Sequence, residues 1–386
     1  MQINQKVVNS EAKKKPIIFS FFSGSGFLDL GFNNSGFDIR FVNEFYKPFL
    51  EAYKYSRSVM FEEDPIYGYH QCSIDEFKEG EARSYLLECV EKAKVEALVG
   101  FIGGPPCPDF SSAGKNRGRE GENGRLTESY VNTIIDNQPD FFLLENVKGL
   151  WKTKKHKLFY NEMKEKLEES GYLLTDTLAN SIEFGVPQFR ERVILFGINK
   201  QKFNSKVHET LFKSFDWKKY TTYNALQIES NLAWPNKNDY CENSELVKPP
   251  LLNPKLEGLT VEHWFIKNSV NKHPNAAFFF KPRQGILKFQ TISEGDVKGK
   301  SFKRLHRWRY SPTVAYGNNE VHLHPYKSRR LSVAEALSLQ SMPKDFELPK
   351  TMSLSDMFKT IGNGVPYLFA KGIAMNIYDF ISQANE

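Results

Sequence analysis

Five apolar runs, each ending in a glycine or polar turn, dominate residues 16–198 and leave few folds open. PIIFSFF (16–22) runs into SGSG, and FDIRFVNEF (37–45) precedes a helical stretch over 47–55. ALVGFIGG (97–104) and PDFFLLENV (139–147) flank a second helical stretch over 126–137, and RVILFGI (192–198) closes the set. Strands this uniformly apolar are buried on both faces, as in parallel sheets covered by helices. The pattern predicts a doubly wound, mostly parallel α/β sheet, with ligands gathered at the carboxyl ends of its strands. A chain of 386 residues also exceeds what one core usually fills, so a second, smaller domain is expected.

After Asn199 the texture changes to segments rich in Asn, Lys, Pro and aromatics with weak periodicity, which predicts an irregular smaller domain over 199–350. Between Lys200 and Arg330, 23 basic residues stand against 11 acidic ones, a surplus of 12, while the rest of the chain carries 29 against 35 and is negative by 6. A basic block of this kind suits a polyanion, because cationic side chains displace counterions from phosphates. On charge alone a solvated lysine-rich surface fits equally well. RRLSVAEALSLQSMP (329–343) reads as a short amphipathic helix with Ser332 as N-cap and Glu335 completing a capping box. VPYLFAKGIAMNIYDFI, within 351–386, reads as a helix that packs back on the sheet.

Four strand ends carry chemistry-bearing residues. Gly24 and Gly26 follow the first run, and Glu44 closes the second, 20 residues beyond Gly24, where an acid that holds ribose hydroxyls belongs. Position 29, where a dinucleotide fingerprint wants its third glycine, is Asp29, so a nucleoside cofactor without a pyrophosphate fits better than a dinucleotide. A plain tight turn fits the glycines as well. Cys107 sits in a Pro-Pro-Cys-Pro turn after ALVGFIGG, at the rim where α/β active sites lie, and that position favours a nucleophile over a structural thiol. A nearby cation would raise its thiolate fraction. Glu145 ends the next run as a candidate proton donor or a simple helix cap. Arg190 and Arg192, spaced by two at the entry of an apolar strand, can both face one cleft, while a pair of ordinary surface arginines fits the spacing as well.

Taken in order, FSGSG, NE (43–44), GGPPCPDFSSAGK, LENV, QFRER, RRLSVAEALSLQSMP and IGNGVP resemble the cytosine-5 DNA methyltransferases of bacteria and phages. Each motif alone is ambiguous; the ordered set is specific. The resemblance implies a Rossmann-like methyltransferase sheet over 16–198, completed by 351–386, with 199–350 as a target-recognition domain. It implies S-adenosyl-L-methionine as cofactor, held by Phe22, Gly24, Gly26, Glu44, Phe45, Ser73, Ile74, Asn363 and Val365. It implies Cys107 as the thiolate that adds to ring carbon 6 of a flipped cytosine, Glu145 and Arg192 as the groups that stabilise the adduct, and Arg190 as their organiser. Double-stranded DNA is the expected partner, with Ser111, Lys115, Arg117 and Arg125 in a lid over 108–125 that meets it.

The chain departs from the family at Pro108, where Gln is common, at Phe27, where a second glycine is common, and at Ser73, where an acid often contacts the adenine, with Asp75 as a register alternative. The motif around Cys107 differs from that of the tRNA-methylating branch. Retention of Cys107, Glu145 and Arg192 together speaks against a non-catalytic DNA-binding relative. The expected setting is a restriction-modification or phage system with any cognate restriction endonuclease acting independently, and a monomer in the cytoplasm. The four cysteines match no disulfide or CxxC framework, and reduced thiols are expected. No apolar run is long enough to cross a membrane. No metal is expected, and His263, His273, His306, His322 and His324 are read as solvent or phosphate contacts.

Overall fold

The computed structural model describes residues 14–106, 122–204, 206–207, 209, 215–230, 234–245, 254–282, 286–299, 302–314, 316 and 321–383. The chain alternates strands and helices: β1 Ile17–Phe21, α1 Phe27–Asn33, β2 Asp38–Asn43, α2 Lys47–Val59, β3 Tyr69–His70, α3 Gly80–Glu96, β4 Val99–Gly103, α4 Glu122–Asn137, β5 Phe141–Val147, α5 Lys148–Lys152, α6 Lys154–Glu169, β6 Tyr172–Asn180, β7 Gln188–Phe189 and β8 Glu191–Asn199. Seven strands form one sheet in the order β3-β2-β1-β4-β5-β8-β6. The pairs among β1 to β5 are parallel, and β8 runs antiparallel to both β5 and β6.

Both faces of this sheet are covered, as the uniform apolarity of the strands requires. Ile17, Phe19, Phe21, Phe101 and Phe142 pack under α3, α4 and α6, where Leu86, Val90, Ile134, Phe159 and Met163 meet them. Ile18, Ile102, Phe141 and Phe196 face the other way, onto Phe369, Ile373, Ile377 and Phe380 of the C-terminal helix Tyr367–Gln383. That helix lies close against α1, because a Cβ on Gly31 would come within 2.5 Å of the Ala370 side chain. The last helix thus folds back to complete the first layer. Among the described residues, no helix is long and apolar enough to cross a membrane.

The helix Val333–Leu339 starts at the expected capping box: the Glu335 N–H donates to Ser332 Oγ at 3.2 Å, and the Ser332 N–H donates to Glu335 Oε2 at 2.8 Å. Its expected amphipathic character is corrected, since all seven of its residues are buried. One side, with Val333, Ala336 and Leu337, packs on Phe27, Leu30 and Phe49. The other, with Ala334 and Leu339, packs on Val261, Phe265 and Leu305. A helix set between two apolar clusters has no face left for water.

The expectation that the histidines meet solvent or phosphate is likewise corrected for three of them. His306, His322 and His324 are at most 3% exposed. Burial pushes their ring pKa values down, to about 4 for His306 and about 3 for His322 and His324, so they pack as neutral rings. Irregular backbone around them is tied by buried arginines: Arg304 donates to the Ile292 carbonyl at 2.7 Å, and Arg307 pairs with Glu294 at 2.9 Å.

Candidate active site

The carboxyl ends of β1, β2, β4 and β5 converge, as the strand order demands of a sheet whose winding reverses beside β1. The turn after β1 is left-handed at Phe22 (φ 52°), Gly24 (φ 57°) and Gly26 (φ 82°). A Cβ on Gly24 would meet nothing within 4 Å, so the space over the turn is open, whereas one on Gly26 would strike the Tyr53 ring at 2.7 Å. Glu44 fastens this turn to β2: its Oε2 accepts the Gly24 N–H at 2.8 Å and its Oε1 accepts the Tyr46 N–H at 2.7 Å. Each oxygen keeps a second lone pair for a ligand. Burial pushes the Glu44 carboxyl up from its ordinary value, while the Tyr46 and Gly24 N–H groups pull it down.

Asp29 explains the missing third glycine. It is fully buried beneath the turn, accepting from Ser20 Oγ at 2.8 Å and from the Tyr53 hydroxyl at 2.9 Å, while Arg57 lies over the Tyr53 ring and donates to the Gly26 carbonyl at 3.3 Å. The turn therefore rests on a polar anchor rather than on close helix packing.

The other expected cofactor residues divide by exposure. Phe45 is 69% exposed and Asn363 is exposed, whereas Ile74 and Val365 are buried and Phe22 is half-buried, edge-on to Tyr130. Ser73 caps the turn Ile74–Lys78, accepting from the Asp75 N–H at 3.3 Å. The Asp75 carboxylate is held by Lys78 at 2.5 Å and Ser129 Oγ at 2.7 Å. Arg125, expected on DNA, lies 3.6 Å from that carboxylate with its side chain 63% exposed.

Glu145 and Arg192 form the centre of the second half of the site. β5 and β8 pair antiparallel so that Glu145 and Arg192 lie within two residues of direct register, and Arg192 Nε reaches Glu145 Oε1 at 2.9 Å with both side chains nearly buried. Burial pushes the Glu145 carboxyl up, and the Arg192 and Arg190 guanidiniums pull it back. Gly104, just past β4, backs onto this carboxylate, since a Cβ there would sit 2.9 Å from Glu145 Oε2. Cys107, three residues further on, lies outside the described residues, as do Ser111, Lys115 and Arg117.

Arg190 departs from its partner. It is 1% exposed, and its guanidinium donates to the carbonyls of Val314 at 2.9 Å, Gly362 at 2.9 Å and Gly364 at 3.2 Å. The two arginines diverge because residue 190 stands between β7 and β8, outside regular strand geometry. Gln188 and Gln340, which lie within the QFRER and RRLSVAEALSLQSMP motifs with no role implied for them there, extend this clamp: Gln188 accepts the Val314 N–H at 3.1 Å and donates to Gln340 Oε1 at 3.2 Å, and Gln340 donates to the Ile361 carbonyl. Their sequence signal was their place in those two motifs. Replacing Arg190 with methionine strands these buried carbonyls, and unfolding in denaturant is expected to show a loss of about 3 kcal/mol. An unchanged midpoint would deny the clamp.

Residues 17–379 match the family described as C-5 cytosine-specific DNA methylase. The chain is 55% identical over 378 residues to Type II methyltransferase M.NmeDI of Neisseria meningitidis serogroup C, covering 97% of this chain and 86% of that protein. It is 30% identical to Type II methyltransferase M.FnuDI of Fusobacterium nucleatum, covering 94% and 95%. In fold it is similar to a prophage-encoded E. coli protein described as a DNA modification methyltransferase, with a TM-score of 0.64 at 20% identity, covering 95% of this chain and all of that one. On the match that runs nearly end to end and the site that its strand ends assemble, the chain belongs to the C-5 cytosine-specific DNA methylase family, as a DNA (cytosine-5)-methyltransferase of the type II restriction-modification kind.

Proposed function

We propose that the chain methylates carbon 5 of a flipped cytosine in a short duplex site, using S-adenosyl-L-methionine and a covalent adduct on Cys107. The observation that carries this reading is the Glu145–Arg192 pair at 2.9 Å, set against Gly104 on the segment that leads to Cys107. The residues at the ends of β1 and β2 fit the cofactor: open space over Gly24, a Glu44 carboxylate anchored by backbone with lone pairs to spare, and the exposed Phe45 ring. Bound there, the cofactor supplies an electrophilic methyl group on a sulfonium.

Carbon 5 of cytosine is a weak nucleophile, so the protein has to make it a stronger one. The Cys107 thiolate adds to carbon 6, and the displaced electron pair moves toward ring nitrogen 3 and the carbonyl. Glu145 gives a proton to nitrogen 3, and Arg192 donates hydrogen bonds to the carbonyl oxygen. The enamine so formed takes the methyl group at carbon 5. Loss of the carbon 5 proton to a base then expels the thiolate, and nitrogen 3 returns its proton to Glu145. Arg192 pairs with Glu145 in the free enzyme, and its turn toward the base would free that carboxyl to rise further and hold the proton it must give. Extruding the cytosine costs a few kcal/mol of stacking, which the basic region 199–350 and the 108–125 segment offset by gripping phosphates.

A host that expresses the chain should show, by bisulfite sequencing of its total DNA, cytosines protected in one recurring short context. Uniformly unprotected DNA beside soluble, cofactor-binding protein would overturn this reading in favour of an RNA substrate or a binding role.

A further inference from the structure

A cavity of about 280 Å³ opens beside β7, lined by Phe189, Glu229, His306, Arg309, Tyr310 and Thr313 among others. Two of its polar groups are already engaged. Thr313 Oγ1 donates to the Phe189 carbonyl at 2.7 Å, and the His306 ring, neutral through burial, is tied to Asn238 at 3.1 Å and to the Trp308 N–H at 3.0 Å. Arg309 and Glu229 are not engaged. The Arg309 guanidinium lies 5.2 Å from the centre of the Tyr310 ring, which orients its fork, yet neither it nor the Glu229 carboxylate has a hydrogen-bond or ion-pair partner among the described residues.

Resting on the DNA methyltransferase reading, we propose that this cavity reads one G·C pair of the recognition site through the major groove, Arg309 to guanine and Glu229 to the paired cytosine. Guanine presents two adjacent acceptors, O6 and N7, which match the two donors of an oriented arginine fork, and cytosine presents an amino group that a carboxylate accepts. A phosphate would suit Arg309 alone, but Glu229 in the same lining repels an anion. The place is also right. Phe189 stands three residues before Arg192, a span of about 10 Å in extended chain. Bases of one strand repeat about every 3.4 Å along the duplex, so the pair read here lies within about three steps of the target cytosine.

The test is selection of binding sites from random duplexes by the full-length chain and by R309A, R309K and E229Q. The unsubstituted protein should select a motif with G·C at one position near the modified cytosine. R309A and R309K should both lose the preference there, by about five- to hundredfold, and keep it elsewhere, because lysine retains the charge and not the fork. E229Q should relax the same position. A motif unchanged in R309K, or an equal loss of affinity on every sequence, would make Arg309 a phosphate contact and overturn the proposal. Failure of the methyltransferase reading would show separately, as selected duplexes that accept no methyl group from the unsubstituted protein, while the position-specific result still decides the cavity.

Discussion

Replacing Cys107 with alanine is expected to lower methyl transfer by about four orders of magnitude or more, with duplex and cofactor binding retained. The reason is chemical rather than structural. Without a nucleophile at carbon 6, carbon 5 never becomes electron-rich. Two of the described thiols are poorly suited to that step: burial raises Cys72 to about 11, and it packs beside Asn43 on β2, while Cys89 of α3 is buried in the core with its pKa also raised by burial; the third, Cys241, is exposed in the 199–350 region. Single-turnover transfer of a labelled methyl group to a duplex carrying the mapped site measures the loss, and anisotropy of the same duplex measures binding. Retained turnover in the alanine variant would sink the covalent mechanism. Lost binding together with lost turnover would mean that residue 107 serves the fold of the cleft instead.

Glu145→Gln is expected to lower the turnover number by about 10²- to 10⁴-fold, with a smaller change in duplex affinity. Glutamine keeps the shape and one acceptor, but it has no proton to give to nitrogen 3, and it leaves Arg192 without its anionic partner at 2.9 Å. The pH profile separates these effects. Burial raises the Glu145 carboxyl above its ordinary value, so the proton-donating form persists at higher pH than for an exposed glutamate. Activity that needs this form is present below the raised pKa and declines as pH rises through it. In the glutamine variant that decline should be missing. A glutamine variant with normal turnover, or one whose profile keeps the same alkaline limb, would remove Glu145 from the proton transfer and leave it as a support for Arg192.

Much of the fold was legible because the relevant physics is local. A short uninterrupted apolar run bounded by glycine or polar turns fits a strand covered on both faces, and β1, β2, β4 and β5 lie where those runs are. The capping box at Ser332 and Glu335 is a matter of spacing alone, and its hydrogen bonds are made as expected. The surroundings of that helix were less legible. The polar residues of Val333–Leu339 suggested a wet face, and a second cluster around Val261 and Phe265 covers it instead. The histidines misled for a related reason: a basic stretch of sequence says nothing about which of its rings turn inward, and His306, His322 and His324 do.

The active site shows the same division. Residue types and their order along the chain, without any coordinates, determined the sheet, the strand ends that bear Gly24, Glu44, Cys107, Glu145 and Arg192, and the kinship with cytosine-5 methyltransferases. Only the tertiary structure decided which of these groups meet. β8 runs antiparallel to β5, and that direction is what brings Arg192 to Glu145. The C-terminal end of the helix Leu354–Asn363 returns from the far end of the chain, and the carbonyls of Gly362 and its cap Gly364 claim Arg190 for a clamp. Strand direction and long-range return depend on how distant segments bury one another, and a hydrogen bond between residues 172 positions apart leaves no periodicity for a local pattern to carry.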